Sequence, residues 1–299
     1  MWLTVAISIV AAGALGLAYA RAEAAWYVLR RHTIPCLPPG TPPMTILHVS
    51  DLHFRSNLTR MRRFFARLAI LDVDLIVGTG DFLGDTTSAD DCARMLSSVP
   101  ARHGRLFVLG SNDYYAPTPK NPLKYVIKTK GRPYTHGPPN TWEHLVKTLQ
   151  QQGWRFLRNE RTTIAGIDIT GLDDPHIGRA DLNMAPPRDH DGFRLAVVHS
   201  PEAAPTLSQR GFDLILCGHT HGGQLRIPGW GALVTNAAGL PRRMARGAHR
   251  IGGSWLHVTA GLGTSKYTPV RFACRPEACL LELVAKTATP AGEKPPDGQ

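Results

Sequence analysis

The chain has 299 residues, with 34 lysines and arginines against 23 aspartates and glutamates, so its formal net charge is +11 at pH 7. Apolar residues make up 43% of the chain and charged residues 19%, which excludes a mainly disordered or fibrous protein and allows one large or two small domains. The excess of positive charge favours phosphate groups or anionic lipid as partners, without choosing between them.

The first segment of the chain is apolar. Residues 2–20 carry no charge and would span about 28 Å as a helix, close to the thickness of the hydrocarbon core of a bilayer. Trp2 and Tyr19 stand at its two ends, where aromatic residues favour the membrane interface. The sequence therefore predicts a single-pass transmembrane anchor over residues 1–21.

The charges around the anchor predict its orientation. Nothing basic precedes the apolar run, whereas Arg21, Arg30 and Arg31 follow it, so the positive-inside rule places the catalytic part in the cytoplasm. A cleaved signal peptide is the main alternative, because residues 18–20 (Ala-Tyr-Ala) have the small-x-small form of a cleavage site. The lack of a basic residue before the run weakens that alternative.

After a predicted linker over residues 22–43, which is Pro-rich from 35 to 43, strands and helices alternate through a predicted domain of residues 44–285. Apolar runs at 45–49, 75–77, 106–109, 194–198 and 214–216 predict strands, and further strands are predicted at 255–259 and 280–284. Helical periodicity marks 59–71, 88–96 and 141–152, and a hairpin is predicted at 161–170. The polar tail, residues 286–299, is predicted to be disordered.

The polar clusters all follow the carboxyl ends of predicted strands, where the loops of layered α/β folds converge on one edge of the sheet. Carboxylate, imidazole and amide oxygen together suit Mn, Fe or Zn. Seven ligands are too many for one small ion, but they suit two divalent ions bridged by a carboxylate and about 3.5–4 Å apart. Such a site is strongly positive and matches a phosphate ester. The candidate metal ligands are Asp51, His53, Asp81, Asn112, His199, His219 and His221.

These blocks, in this order, resemble the calcineurin-like metallophosphoesterases over about residues 45–284. The Gly-Gly-Gln that follows His221, together with the anchor, resembles the bacterial membrane-associated branch of that family. The resemblance implies an α/β fold, a four-layer β-sandwich flanked by helices, and hydrolysis of phosphoric esters with two metal ions. It implies that one ion is held by Asp51, His53, Asp81 and His221, and the other by Asp81, a residue of the third loop, His199 and His219.

The third loop departs from the family pattern Gly-Asn-His-Asp/Glu, because here it is Gly110-Ser111-Asn112-Asp113. Aligned without a gap, Ser111 takes the place of the ligand and Asn112 that of the proton donor, which a neutral amide cannot be. With a slip of one residue, Asn112 ligates and Asp113 stands near the leaving group. An amide oxygen is the better ligand, so Asn112 is the preferred one, and Asp81, Asn112 and Asp113 are the predicted catalytic residues.

Other residues are candidates for substrate contacts. His176 and Arg179 lie in a loop that is either a structural turn or part of the substrate site. A basic insertion follows the third loop and is either a solvated loop or a lid that recruits an anionic lipid or a lipid-linked phosphate. Its cations are Lys120, Lys124, Lys128, Lys130 and Arg132.

The sequence predicts metal-dependent hydrolysis of a phosphate ester at the membrane surface. Two alternatives remain: a pyrophosphohydrolase acting on a nucleotide-linked lipid of the UDP-diacylglucosamine type, and a catalytically weak metal-binding membrane module. Nucleic acid is not an expected partner, because no recognised binding motif accompanies the net charge. Five cysteines lack the spacing of zinc ligands, and Cys274 and Cys279 are close enough to pair in an oxidising compartment.

Overall fold

The structure, a computed structural model, describes residues 1–119 and 137–286. Its helices are α1 Trp2–Glu23, α2 Thr59–Leu68, α3 Ala89–Ser97, α4 Ser111–Tyr114, α5 Trp142–Gln151 and α6 Ala204–Gln209. Its strands are β1 Val28–Leu37, β2 Met44–Val49, β3 Leu75–Thr79, β4 Gly104–Val108, β5 Trp154–Phe156, β6 Glu160–Ile164, β7 Ile167–Gly171, β8 Arg194–Val197, β9 Leu214–Cys217, β10 Arg226–Ile227, β11 Gly231–Ala232, β12 Gly247–Ile251, β13 Ser254–Val258 and β14 Glu277–Ala285.

Two six-stranded sheets form the centre of the molecule, with the orders β1-β14-β2-β3-β4-β5 and β12-β13-β9-β8-β7-β6. Their facing sides share one apolar core, in which Ile46 and Val77 of the first sheet are grouped with Leu216 of the second. Helices α2, α3 and α5 cover the outer side of the first sheet, and α6 covers that of the second. This arrangement confirms the predicted α/β fold of four layers, with helices outside and two sheets inside.

The strand β1 differs from the sequence-based prediction, in which residues 22–43 are a linker. Val28–Leu37 instead pairs in parallel with β14 and forms an edge of the first sheet. Pro35 fits there because an edge strand tolerates the missing N–H, and the register shifts between Pro35 and Leu37. Alternate side chains, such as those of Ile34 and Cys36, are buried against the core. The sheet therefore begins upstream of residue 44.

The helix α1 is long and apolar enough to cross a membrane by length and composition. Most of it is exposed, but its carboxyl end is attached to the domain. The carbonyl of Ala20 accepts a hydrogen bond from the N–H of Arg271 at 2.9 Å. The buried carboxylate of Glu23 accepts from the N–H groups of Ala273 and Cys274 at 3.0 and 2.6 Å. The candidate membrane span is thus joined to the catalytic domain by hydrogen bonds to residues 271–274.

All five cysteines are free and buried. Cys274 and Cys279 do not pair, so the disulfide that their spacing allows is absent. Cys274 lies beside the carbonyl of His221, at 3.3 Å, and Cys279 lies in β14.

Candidate metal centre

Five loops converge at one edge of the two facing sheets. The parallel strands β2, β3 and β4 are neighbours in the first sheet, and the parallel strands β8 and β9 are neighbours in the second. Parallel strands end at the same edge, so the loops that follow them meet there. Each of the five loops carries at least one of the seven ligands predicted from the sequence.

The first group of candidate ligands is Asp51, His53, Asp81 and His221. One ligand atom from each of these residues lies within 4.8 Å of the other three. His53 Nε2 is 3.6 Å from Asp81 Oδ2, and His221 Nε2 is 3.5 Å from Asp51 Oδ1. These are the residues that the resemblance implies for one metal ion.

The second group lies on the other side of Asp81. His199 Nε2 is 3.5 Å from Asp81 Oδ1, and His219 Nδ1 is 3.3 Å from His199 Nε2. Asn112 contacts Asp81 twice: its main-chain N–H donates to Oδ1 at 2.8 Å, and its side-chain amide donates to Oδ2 at 2.6 Å. The carboxylate of Asp81 therefore stands between the two groups, in the position of a bridging ligand.

The unpaired nitrogens of the site fit bound cations. His53 Nε2 faces His221 Nε2 at 3.1 Å, and both rings keep a buried Nδ1 without a hydrogen-bond partner. His199 Nδ1 donates to the carbonyl oxygen of Thr79 at 2.6 Å, so Nε2, which faces His219 and Asp81, is the nitrogen that a cation would take in place of a proton. Two neutral imidazoles can share only one proton across such a contact, whereas a divalent cation between them would accept a lone pair from each ring. The residues present thus fit two metal ions.

Strain in the backbone is concentrated at these ligands. Five of the seven candidate ligands have a positive φ, between 40° and 69°: Asp51, His53, Asp81, His219 and His221. Residues other than glycine rarely adopt this conformation, and it persists where the surrounding structure imposes it for a functional reason. A side chain is also excluded at Gly110, because a Cβ there would lie 2.4 Å from Asp81 Oδ1 and 2.6 Å from the ring of His199.

The charges of the site are strongly coupled. Burial alone would raise the pKa of Asp81, but His199 and His53 hold the pKa of its carboxyl below the usual range. Burial lowers the pKa of His199, but Asp81, Asp174 and Asp51 outweigh it and raise that pKa to about 9. Burial lowers the pKa of His53 to about 4, so its ring is neutral, as a metal ligand must be.

Asp113 occupies a different position from the one predicted for it. Its Oδ1 accepts the N–H groups of Phe82 and Leu83 at 2.7 and 3.0 Å. Its Oδ2 accepts those of Asp81 and Gly110 at 2.8 and 3.0 Å. Four backbone donors thus occupy both oxygens of Asp113, and its side chain points into the loop that carries Asp81. This position does not support the predicted role at the leaving group.

Of the two predicted substrate residues, His176 lies beside the candidate ligand His219, and Arg179 lies beside the third loop. The ring centroid of His176 is 4.4 Å from that of His219, and His176 Nδ1 is 3.2 Å from the carboxylate of Glu202. The guanidinium of Arg179 lies 4.2 Å above the ring of Tyr114, which belongs to α4. The cations of the basic insertion, Lys120, Lys124, Lys128, Lys130 and Arg132, lie outside the described residues.

One acidic residue, Asp174, lies in the same loop as the candidate His176 but is not singled out by the sequence. Asp174 is fully buried, its Oδ2 has no hydrogen-bond partner, and its charge raises the pKa of His199. Burial raises the pKa of Asp174 itself to about 6. Asp174 follows the carboxyl end of β7, which pairs in parallel with β8, so the rule that found the other loops also covers it.

Comparisons with known proteins agree with this geometry. The family model for calcineurin-like phosphoesterases matches residues 44–223. Phosphodiesterase YaeI of Escherichia coli is 29% identical over 273 residues, covering 88% of this chain and 90% of that protein. The uncharacterized metallophosphoesterase YkuE of Bacillus subtilis is 29% identical over 292 residues, covering 91% and 93%. The UDP-2,3-diacylglucosamine pyrophosphatase LpxG of Chlamydia muridarum is 24% identical over 280 residues, covering 81% and 84%. With the family model matching more than half of its length, the chain belongs to the calcineurin-like phosphoesterases and is a hydrolase of phosphoester bonds.

Proposed function

We propose that the protein hydrolyses a lipid-linked phosphate ester at a membrane surface, with two divalent metal ions. The observation that carries the proposal is the carboxylate of Asp81, which stands between the two groups of ligands. When bound, such ions supply positive charge to the phosphoryl oxygens and lower the pKa of a water molecule that attacks phosphorus. The donor set suits Mn, Fe or Zn.

The residues of the chain fix the geometry of this reaction. The N–H and amide groups of Asn112 orient the carboxylate of Asp81, and Asp113 holds the loop on which Asp81 lies. The hydrogen bond from His199 to Thr79 directs the free nitrogen of His199 into the site. We propose Asn112 as the third-loop ligand, through its amide oxygen after rotation of the amide group, and Arg179 and His176 as contacts to the substrate.

The position of α1 supports action at the membrane. Glu23 at the end of α1 binds the N–H of Cys274, and the thiol of Cys274 lies 3.3 Å from the carbonyl of the metal ligand His221. Cys274 therefore links the end of the candidate span to the candidate metal centre through one contact on each side. Phe272 is exposed, and its ring packs edge-on against Tyr19 of α1 with the centroids 5.6 Å apart, so an apolar side chain of the domain lies beside the candidate span. Other exposed apolar residues of the domain are Leu225, Ile227, Trp230, Leu233, Val234 and Tyr267.

The orientation of the domain rests on the arginines that follow the span. Arg21 lies in the last turn of α1, and Arg30 and Arg31 follow it in β1. By the positive-inside rule we propose that the catalytic domain faces the cytoplasm.

A diphosphate is the second candidate substrate. The third loop, Gly110-Ser111-Asn112-Asp113, has no histidine to act as the family's proton donor, so protonation of a poor leaving group is weak, and general acid catalysis is worth about 10²–10⁴-fold. Phosphate monoesters of good leaving groups and nucleoside diphosphates need this assistance least. Together with the likeness to LpxG, this favours a pyrophosphohydrolase acting on a nucleotide-linked lipid.

The proposal is tested with full-length protein purified in detergent and loaded with Mn. Release of product is measured from p-nitrophenyl phosphate, from its bis-ester and from UDP-diacylglucosamine in mixed micelles. We expect hydrolysis of at least one of these that is lost in Asp81→Ala and kept in Asp72→Asn, a change at an exposed carboxylate. Rates equal to those of Asp81→Ala on all three would instead identify a metal-binding module without this activity.

A further inference from the structure

A second set of metal-binding side chains lies between the two sheets. His32 is on β1, Cys279 on β14 and His257 on β13, and one ligand atom from each lies within 4.8 Å of the other two. The strands β1 and β14 belong to the first sheet and β13 to the second. Side chains alternate along a strand, and the neighbours Ile34 and Leu281 place His32 and Cys279 on the face that lines the shared core.

The nitrogens of this cluster are buried and unpaired. His257 is fully buried, and neither its Nε2 nor His32 Nε2 has a hydrogen-bond partner. Burial lowers the pKa of both rings, so each is neutral and keeps one nitrogen lone pair. A buried imidazole nitrogen without a hydrogen-bond partner needs an explanation, and one explanation is a cation that binds there.

A chain of hydrogen bonds orients His257 for such a cation. Its Nδ1 lies 2.9 Å from His48 Nδ1, and His48 Nε2 lies 2.9 Å from the hydroxyl of Thr79. When His257 carries its proton on Nδ1, it donates to His48, which in turn donates to Thr79. The lone pair of His257 Nε2 is then directed at the cluster, and a metal-bound imidazole is usually oriented in this way by its other nitrogen.

We propose that His32, His257 and Cys279 bind a Zn²⁺ ion that joins the two sheets. Thiolate and imidazole together select zinc over manganese, and three protein ligands leave a fourth position. The buried carboxylate of Glu277 lies beside Cys279, with Oε1 at 3.8 Å from Cys279 Sγ, and is the candidate for this fourth position. His32 is partly exposed and lies on the edge strand, which gives the ion a way in.

Forming the Zn–S bond replaces the proton of the Cys279 thiol, which leaves to solvent, and no electron is transferred. In the absence of metal, burial holds the pKa of this thiol well above its usual range, so the thiol is protonated until an ion binds. The role that follows is structural, because β1 connects the candidate membrane span to the catalytic domain.

The test uses metal-free full-length protein titrated with Co²⁺, which reports thiolate ligands by a charge-transfer band in the near ultraviolet. The centre that contains Asp81 has no cysteine ligand, so the band reports only the proposed site. We expect the band in the unchanged protein and in Asp81→Asn. We also expect it in the control Cys36→Ser, which removes a different buried thiol, on β1. We expect its loss in Cys279→Ser, and a band that persists in this variant would overturn the proposal.

A second variant keeps the test decisive if Cys279→Ser fails to fold. His32→Gln changes a partly exposed residue of the edge strand, and it is compared with His32 in the Asp81→Asn background, where we expect zinc affinity, measured by competition with a coloured chelator, to fall at least about tenfold. Unchanged zinc affinity in a folded His32→Gln protein would contradict the proposal. The proposal would also be contradicted if the unchanged protein bound Co²⁺ only at the centre that contains Asp81 and showed no thiolate band. The cluster would then be a metal-free part of the core.

Discussion

The role of Asp113 can be decided by replacing it with asparagine. The sequence predicts Asp113 near the leaving group, whereas the structure directs both of its oxygens to four backbone N–H groups of the third loop and the loop after β3. In Asp113→Asn one oxygen still accepts two of these groups. The new amide nitrogen faces the other two donors and cannot accept from them.

The magnitude follows from the two bonds lost. A buried N–H left without its acceptor costs about 1–3 kcal/mol, so the loss of two acceptors lowers the free energy of unfolding by about 3 kcal/mol. For a domain of this size, about 3 kcal/mol lowers the melting temperature by roughly 6–12 °C. Since the same bonds position Asp81, metal affinity should fall as well.

The assay compares thermal unfolding of the metal-free proteins with turnover at saturating Mn. We expect a lower melting temperature for Asp113→Asn, and turnover per metal-loaded molecule that stays within about tenfold of the parent. Asp72→Asn, at an exposed ion pair, is the control and should change neither. A melting temperature like that of the parent, combined with a loss of turnover of about 10²–10⁴-fold, would refute the positioning role and restore the role at the leaving group.

The other predictions concern ligands, substrate contacts and the membrane. Asn112→Ala should weaken metal binding by about 10–100-fold, whereas Ser111→Ala should leave it nearly unchanged; the reverse order, measured by metal titration, would move the ligand to Ser111. Arg179→Ala should raise KM for the phosphoester about tenfold with kcat nearly unchanged, and a fall in kcat alone would contradict a binding role. Glu23→Ala leaves two N–H groups without their acceptor and should cost about 2–4 kcal/mol in chemical unfolding, with a greater loss of activity on micellar lipid than on p-nitrophenyl phosphate. Chelation should lower the melting temperature, and Mn at about 100 times its Kd should restore about 2.7 kcal/mol; no response to either would count against the metal centre.

Much of the site could be predicted from the sequence because its geometry follows from topology. Apolar runs identify buried strands, parallel strands end at the same edge, and the polar residues just past those ends must meet. Asp51, Asp81 and His199 come from three different loops and are brought together in this way. The hairpin β6–β7 was equally accessible, since its alternating strands turn at Ala165 and Gly166.

Other features depend on contacts that sequence patterns do not encode. The strand β1 was hidden because Arg30, Arg31 and Pro35 read as linker, while its pairing partner β14 lies some 250 residues away in the chain. The function of Asp113 depends on which N–H groups it reaches across the fold, whereas the sequence favours a one-residue slip of the loop that puts Asp113 near the leaving group. The His32–His257–Cys279 cluster draws its ligands from three strands, so no local spacing indicates it.

The central claim is that Asp81 bridges two metal ions. Anomalous diffraction from crystals grown with Mn²⁺ tests it directly. We expect two peaks about 3.5–4 Å apart, on either side of the Asp81 carboxylate, one near His53 and His221 and the other near His199 and His219. A single peak, or peaks remote from Asp81, would contradict it.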